Sequence, residues 1–418
     1  MKSYEGGVFV KISLYCKKKS MTVLKKLFWL GTGLIALLLV NCESNKVAQN
    51  WHKGNLHTHS LWSDGDDFPE MIIQWYKDND YQFIALSDHN TIADSEFWYE
   101  IKERELKNKT LEQYQNRFGD WVETKIDSTK TLVRLKTFEE YRSKLEVLDS
   151  FLVIKSEEVT SSFEKKPIHI NVTNIQEKID PIRGKSVLEV MQRTIDAVHE
   201  QRKRLNIPMF AHINHPNFGY GISTEDLKQL NGERFFEVYN GHPAVNNEGD
   251  DTHIDTETMW DLINIHYHKE GKPLMFGIAT DDSHNYHSFS SNRSNTGRGW
   301  VMVNSKKLDA EHLISAMESG AFYASSGVYL KNVFANQNEI GIAVDPEAGV
   351  RYEIIFIGYQ KGAEEAVELK KVQGTTASYA YQKEDVFVRV KINSDAKKDN
   401  PIIEGETKKA WTQPVLVQ

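Results

Sequence analysis

The stretch Asn-Leu-His-Thr-His-Ser-Leu-Trp-Ser-Asp-Gly at residues 55–65, followed by Ala-Leu-Ser-Asp-His-Asn at residues 85–90, is the most informative part of this sequence. His57 and His59 are two residues apart, so on a β-strand both imidazoles point to the same side. A carboxylate follows at Asp64, and another histidine comes after the next apolar run. Nitrogen and carboxylate ligands of this kind suit zinc, manganese or iron better than calcium or magnesium. The pattern predicts a metal-dependent hydrolase.

Residues 21–42 have the composition of an export signal. Two lysines precede an apolar run of 14 residues, Leu27–Val40. A membrane-spanning helix needs about 20 apolar residues, so this shorter run suits the core of a signal peptide. Residues 1–20 form an N-terminal extension with no clear element, and either Met1 or Met21 is the true start.

The end of this signal resembles a bacterial lipoprotein cleavage box, in which the cysteine is lipidated. The box reads Leu-Val-Asn-Cys at residues 39–42, and Asn41 departs from the usual Gly, Ala or Ser. The alternative is an uncleaved N-terminal anchor. We therefore expect lipidation at Cys42 and an exported, membrane-anchored lipoprotein, periplasmic or on the cell surface.

Charge and cysteine content narrow the function classes. The first 41 residues hold seven of the 51 Lys and Arg residues and one of the 59 Asp and Glu residues, which leaves a net charge of −14 on the rest. A negative surface argues against binding to a nucleic-acid polymer. The only cysteines are Cys16 and Cys42, so disulfide and thiolate chemistry are excluded from the body of the chain.

The body alternates buried strands with amphipathic helices, which indicates an α/β fold with a mostly parallel sheet. The predicted strands lie at 83–86, 151–154, 209–211, 235–239 and 274–278, and predicted helices lie at 69–79, 187–204 and 257–268. The predicted domains are a hydrolase domain at 53–330, with a helical insertion at 94–147, and a small antiparallel β domain at 331–418. The insertion is interpreted as a solvated cap, with a lid over the site as the alternative.

Seven ordered elements carry a family resemblance over residues 53–330. They are His57-x-His59, Asp64-Gly65, Ser87-Asp88-His89, Glu158-Val159-Thr160, Pro167-Ile168-His169, His215-Pro216 and Thr280-Asp281-Asp282-Ser283-His284. Their order and spacing resemble those of the PHP (polymerase and histidinol phosphatase) family of metal-dependent phosphoesterases. The resemblance implies a distorted seven-stranded β/α barrel holding three divalent ions, with zinc, manganese and iron as candidates.

The resemblance also implies a role for each matching residue. His57, His59, Glu158 and Asp282 would hold one ion; Glu158, His169 and His215 a second; and Asp64, His89 and His284 a third. Glu158, Asp282 and His284 would take part directly in catalysis. Glu157 is the alternative to Glu158, because alternation on a strand lets only one of the pair face inward.

Four further residues are candidates for substrate contact. Arg293 and Arg298 follow the last ligand and are predicted to clamp phosphate oxygens through bidentate hydrogen bonds, with solvated loop arginines as the alternative. His212 is a neighbour of the ligands or a substrate contact, and His242 would line the pocket. Asp88 and Asp281 either orient imidazole N–H groups or hold turns.

We therefore expect hydrolysis of a small phosphate ester by a metal-activated water. An amidohydrolase-type enzyme is one alternative, because amidohydrolases also use a barrel and an opening His-x-His. A non-catalytic lipoprotein that binds metal or ligand is another.

Overall fold

The computed structural model of the protein describes residues 49–417, so the extension at 1–20, the signal at 21–42 and Cys42 lie outside the described residues. In chain order the strands are β1 (Trp51–Asn55), β2 (Phe83–Leu86), β3 (Phe97–Glu100), β4 (Thr124–Asp127), β5 (Lys130–Leu135), β6 (Leu152–Phe163), β7 (Lys166–Thr173), β8 (Phe210–Ile213), β9 (Phe235–Asn240), β10 (Phe276–Thr280), β11 (Trp300–Asn304), β12 (Phe322–Ser325), β13 (Tyr329–Ala335), β14 (Glu339–Asp345), β15 (Tyr352–Gln360), β16 (Val367–Gln373), β17 (Thr376–Ala380), β18 (Asp385–Lys397), β19 (Thr407–Thr412) and β20 (Val415–Leu416).

The helices are α1 (Pro69–Asp78), α2 (Glu103–Asn108), α3 (Thr110–Phe118), α4 (Phe138–Leu145), α5 (Val187–Leu205), α6 (Thr224–Gln229), α7 (Thr256–Lys269) and α8 (Ala310–Glu318), with a 3-10 turn at Gly119–Trp121. All five predicted strands and all three predicted helices are present, with ends that differ by at most two residues except at β6, which continues nine residues beyond the predicted end at 154. Within residues 49–417, no helix is both long enough and apolar enough to cross a membrane.

Most strands belong to one large mixed sheet. Its order is β10-β9-β8-β7-β6-β2-β1-β11-β12-β19-β18-β15-β16, and β20 also pairs with β18. The pairs β1/β2, β2/β6, β8/β9 and β9/β10 are parallel, whereas β7 and β11 run antiparallel to their neighbours. The sheet is therefore parallel only in part.

Two helices cover the strands that carry the candidate site. α5 begins after Ser186, whose hydroxyl accepts a hydrogen bond from the backbone N–H of Glu189, and such a cap satisfies a donor that the helix leaves free. Ile195 of α5 and Trp260 of α7 are fully buried in the cluster that contains Ile170 of β7. This packing fixes the strand ends where the ligand candidates lie.

The predicted closed barrel is not confirmed, because among the described residues β10 is an end of the strand path. At the free edge of β10, the backbone of Gly277 bonds to a side chain and not to another strand. Gln413 accepts a hydrogen bond from the N–H of Gly277 (2.8 Å) and donates one to its carbonyl oxygen (2.9 Å). The backbone groups of Gly277 on this edge are therefore satisfied without a neighbouring strand.

The insertion at 94–147 is not helical throughout, which corrects the prediction. It contains α2, α3 and α4, but β3, β5 and β4 form a separate three-stranded antiparallel sheet. The core of the insertion packs Tyr99 and Val133 against Leu61 and Phe68. This core buries Val133 and Leu135 of β5 and Tyr99 of β3, whereas β4 is exposed along its whole length.

The region after residue 328 is rich in strands, as predicted. β13, β14 and β17 form a three-stranded sheet of their own, whereas β15, β16, β18 and β19 continue the large sheet through the β12/β19 pair. The C-terminal strands therefore extend the sheet that carries the candidate site.

Candidate metal centre

The structure brings all nine predicted ligands together at the strand ends. His57, His59 and Asp64 follow β1, and His89 follows β2. Ligand atoms within 4.8 Å of one another form five groups among residues 49–417. These are His59-Asp64-His89-His284, His57-His59-Asp282, His57-Glu158-His215, His57-His212-Glu237 and His89-Glu158-His169.

The group that contains His57 and His59 has distances suited to a shared metal ion. The Nε2 atoms of His57 and His59 lie 3.2 and 3.3 Å from Oδ1 of Asp282, and His59 Nε2 lies 3.3 Å from Oε2 of Glu158. Both nitrogens are buried without a hydrogen-bond partner. With metal–nitrogen bonds of about 2.1 Å, two ligands on one tetrahedral ion lie about 3.4 Å apart. These side chains therefore fit a divalent ion.

Glu158 lies between the groups. Its Oε1 is 3.0 Å from Nδ1 of His169 and 3.7 Å from Nε2 of His215, whereas Oε2 is 2.7 Å from Nδ1 of His89. Burial alone would raise the pKa of Glu158, but the imidazoles of His89, His57 and His169 hold it well below its ordinary value. A carboxylate with two oxygens facing different imidazoles is suited to bridge two cations.

Glu157 faces the other side of β6, as the alternation predicts. Its Oε2 accepts a hydrogen bond from the N–H of Ile179 (2.9 Å). Burial raises the pKa of Glu157 to about 7. The site therefore uses Glu158, and Glu157 is a neighbouring buried carboxyl that contacts no predicted ligand.

The third group is the most open. Asp64 Oδ1 is 3.3 Å from Nε2 of His284, and its Oδ2 is 3.6 Å from Nε2 of His89. The Asp64 side chain is 57% exposed, whereas the His59 side chain beside it is fully buried. Asp64 is thus the predicted ligand that solvent reaches most easily.

Asp88 and Asp281 hold turns and do not orient imidazoles. Asp88 accepts hydrogen bonds from the N–H and hydroxyl of Ser60. Asp281 accepts from the backbone N–H groups of Gly297, Arg298 and Gly299. The structure therefore agrees with the alternative interpretation, in which both carboxylates hold turns.

Glu237 performs the orienting role, although it was not among the predicted site residues. Its Oε1 accepts from Nδ1 of His57 at 2.7 Å. The signal was a lone acidic residue inside the apolar strand Phe-Phe-Glu-Val-Tyr. A carboxylate buried in a strand needs partners, and here they are the metal-site residues.

The ligands surround a cavity of about 370 Å³, a size suited to a small molecule. Its walls are Asp64, His89, Glu158, His169, His215, Phe218, His242, Asp282, His284, Asn285 and Ser294. Phe218, Asn285 and Ser294 were not predicted. The part of the chain that the structure describes places no Lys or Arg in this lining.

Of the four substrate candidates, His242 is the one that lines the cavity. Its Nδ1 accepts a hydrogen bond from the N–H of Ala244 (3.1 Å). A neutral imidazole with Nδ1 as acceptor carries its proton on Nε2. Burial lowers the pKa of His242 to about 4, against the opposite effect of Asp282. His242 therefore presents an N–H donor.

The predicted role of Arg298 as a phosphate clamp is corrected. Arg298 is fully buried, and its guanidinium donates to the carbonyl oxygens of Gly241, Ser290 and Asn400. Its donors are used in holding the fold, so it is not placed to contact substrate. Arg293 is exposed and does not line the cavity.

His212 is fully buried behind the ligands, with Nε2 3.6 Å from Oε1 of Glu237. It is absent from the lining of the cavity. His212 is therefore a neighbour of the ligands, and the substrate-contact alternative does not fit its position.

No model of a known protein family matches the sequence, and no curated protein matches it. The structure is similar to several solved structures at low sequence identity. One is a two-domain protein from Bacteroides vulgatus described as containing a predicted PHP-like metal-dependent phosphoesterase, with 13% identity, a TM-score of 0.39 and coverage of 87% of this chain and 95% of that chain.

A second similar structure, from Bifidobacterium adolescentis, is provisionally assigned as a metal-dependent phosphoesterase. It has 11% identity, a TM-score of 0.29 and coverage of 57% of this chain and 90% of that chain. With TM-scores below 0.5, neither structure supports a functional assignment. The assignment rests on the side chains described above.

Proposed function

We propose that this protein is a metal-dependent phosphoesterase that hydrolyses small phosphate esters at the cavity between its strand ends. The observation that carries the proposal is the convergence of nine nitrogen and carboxylate ligands around Glu158, several of them buried without hydrogen-bond partners. Divalent ions bound there would attract an anionic ester and acidify a water molecule enough for attack on phosphorus near neutral pH.

The grouping of ligands supports three ions, of zinc, manganese or iron. His57, His59 and Asp282 form one group, and Glu158 with His215 or His169 extends toward a second. The open group of Asp64, His89 and His284, which shares His59, would hold a third. Glu158 would then be the ligand common to two ions, and Asp282 and His284 would complete the catalytic set.

The cavity lining offers contacts to both the organic group and the phosphate of an ester. Phe218, whose ring centroid lies 5.1 Å from that of His215, offers an apolar surface to the organic group. His242, whose ring centroid lies 6.0 Å from that of Phe218, can donate its Nε2–H to a phosphate or leaving-group oxygen. The lining contributes no cationic side chain within residues 49–417, so the ions must balance the charge of the substrate.

We also propose that the enzyme works on the exported side of a bacterial membrane, tethered through a lipid on Cys42. The support is the sequence of residues 21–42, with its short apolar run and terminal cysteine. Scavenged phosphate esters are the substrates that such a location favours.

Replacing Glu158 tests the function. The full-length chain, purified in mild detergent and loaded with Zn²⁺, Mn²⁺ or Fe²⁺, should hydrolyse members of a panel of phosphate mono- and diesters. Glu158→Gln should lower metal content and abolish hydrolysis together, because an amide supplies no negative charge to balance two cations. Glu157→Gln is the matched control and should keep both properties.

Two results would contradict the proposal. A metal-loaded wild-type chain that hydrolyses no ester in the panel would favour a binding protein, and cleavage of amides instead would favour an amidohydrolase. A Glu158→Gln variant with full metal content and full activity would remove Glu158 from the centre.

A further inference from the structure

Glu237, in the middle of β9, is a fully buried carboxylate with four donors directed at it. Oε1 accepts from Nδ1 of His57 and from the hydroxyl of Thr280, both at 2.7 Å. Oε2 accepts from the backbone N–H of His215 at 2.7 Å and from Nδ2 of Asn240 at 2.8 Å. These donors come from four different stretches of the chain.

The first of these bonds determines how His57 meets a metal. A neutral imidazole carries one proton, and the nitrogen that donates it leaves the other nitrogen as a lone-pair ligand. With Nδ1–H donated to Glu237, Nε2 of His57 faces Asp282 and Glu158 at 3.2 and 3.5 Å. Glu237 therefore selects the tautomer in which His57 can bind an ion.

The remaining bonds support two ligands whose backbones adopt an unfavourable conformation. His215 has φ of +21° and Asp282 has φ of +49°, values that residues other than glycine seldom adopt. The N–H of His215 donates to Glu237, and Asn240, which donates to Glu237, also donates to Oδ2 of Asp282 at 3.1 Å. Strained positions of this kind persist only when surrounding contacts hold them.

We infer that Glu237 is the positioning residue of the metal centre, because one buried carboxylate fixes His57, His215 and, through Asn240, Asp282. The inference rests on the proposed metal centre. Glu237 itself lies outside the cavity lining, so it acts through the ligands and does not contact substrate.

Glutamine cannot replace Glu237 without a conflict. The side chain accepts two hydrogen bonds on each oxygen, and glutamine has one oxygen and one NH₂ group. In one orientation the NH₂ group would face the backbone N–H of His215 and the side-chain NH₂ of Asn240, neither of which can accept a hydrogen bond. In the other it would face Nδ1 of His57 and the hydroxyl of Thr280, and Nδ1 could accept only with the His57 proton moved to Nε2, where it would block metal binding. Glu237→Gln should therefore either release His215 and Asn240 or favour the tautomer of His57 that cannot bind an ion.

The test is the affinity of the full-length chain for metal alone, measured by titrating Zn²⁺ against a chromophoric chelator. Loss of a group that orients a ligand costs about 10- to 100-fold in metal affinity, and we expect a loss of this size for Glu237→Gln. Glu157→Gln, which changes another buried carboxyl group to an amide without touching a predicted ligand, should bind Zn²⁺ as the wild type does.

Co²⁺ gives a second readout, because its visible absorption reports ligand geometry. Glu237→Gln should shift or weaken this spectrum even at saturating Co²⁺, whereas Glu157→Gln should leave it unchanged. If Glu237→Gln does not fold, Asn240→Ala removes the link to Asp282 and should weaken Zn²⁺ binding several-fold with the same spectral effect.

A folded Glu237→Gln variant with wild-type Zn²⁺ affinity and a wild-type Co²⁺ spectrum would overturn the inference, as would an unaffected Asn240→Ala if Glu237→Gln is insoluble. Failure of the wild type to bind Zn²⁺ or Co²⁺ would instead contradict the proposed function. The two failures are therefore distinguishable.

Discussion

The guanidinium of Arg104 donates hydrogen bonds to the backbone carbonyl oxygens of Asp64 (3.2 Å) and Gly65 (2.7 Å). Arg104 belongs to α2 of the insertion, whereas Asp64 is the most exposed predicted ligand. The insertion is thereby joined to the turn that carries one side of the open metal group. Trp62 in the same turn donates its indole N–H to the carbonyl of Lys136, so the turn is held at two points.

Loss of Arg104 should weaken retention of one ion. Two hydrogen bonds at a half-exposed position contribute about 0.5–1.5 kcal/mol, roughly two- to tenfold in affinity. We expect Arg104→Ala to lose metal faster than the wild type during dialysis, down to the content held by the buried groups. Lys107→Ala, on the exposed face of the same helix, is the control. Equal metal content in all three proteins would show that the insertion does not support the centre.

His242 should affect catalysis but not metal binding. His242→Ala removes the Nε2–H donor from the cavity wall and should lower kcat/KM about 10- to 100-fold on the best ester, since hydrogen bonds to charged groups contribute about 1.5–3 kcal/mol. His242→Gln should recover part of this loss, because its amide nitrogen reaches the same position. Metal analysis of both variants should match the wild type. An unchanged kcat/KM for His242→Ala would exclude a contact with substrate.

Arg298 should matter for stability. Arg298→Ala leaves buried carbonyl oxygens without donors, and each such group costs about 1–3 kcal/mol. The free energy of unfolding, from urea titration followed by fluorescence, should fall by at least about 2 kcal/mol. Arg293→Ala, at an exposed position nearby, should change stability by less than about 0.5 kcal/mol. If Arg298→Ala keeps wild-type stability but loses activity, the phosphate-clamp interpretation returns.

Cys42→Ser tests the proposed location. A single acyl chain gives only marginal membrane binding, so firm anchoring requires more than one chain, as lipoproteins carry. The variant should leave the membrane fraction or accumulate unprocessed, which immunoblotting of fractionated cells would show. Wild-type protein found entirely in the soluble fraction would remove the lipoprotein proposal and leave the enzymatic one untouched.

The ligands were predictable because their signals are local. His57 and His59 are two residues apart on an extended segment, and Asp282 and His284 follow the apolar run that becomes β10. Each pair could therefore be placed at a strand end before the order of the strands was known. Glu158 was separated from Glu157 by the same alternation. Local periodicity also predicted five of the strands and three of the helices, with ends within two residues except at the C-terminal end of β6.

The features that could not be predicted depend on partners that lie far away along the chain. Arg298 looked like a substrate residue because its partner Asn400 lies 102 positions further along the chain. Glu237 stands among apolar neighbours, and nothing nearby indicates that His57 will meet it. The open edge of β10 is likewise set by Gln413, which is 136 positions away from Gly277.

The contact between Gln413 and Gly277 has a consequence for association between chains. A strand with unpaired backbone groups on one side is a template onto which a strand of another molecule can add. Here a glutamine amide, with one donor and one acceptor, takes the place that an added strand would use. Because Gln413 lies just after β19, opening of the C-terminal strands would free the backbone groups of Gly277 to pair with a strand of another molecule.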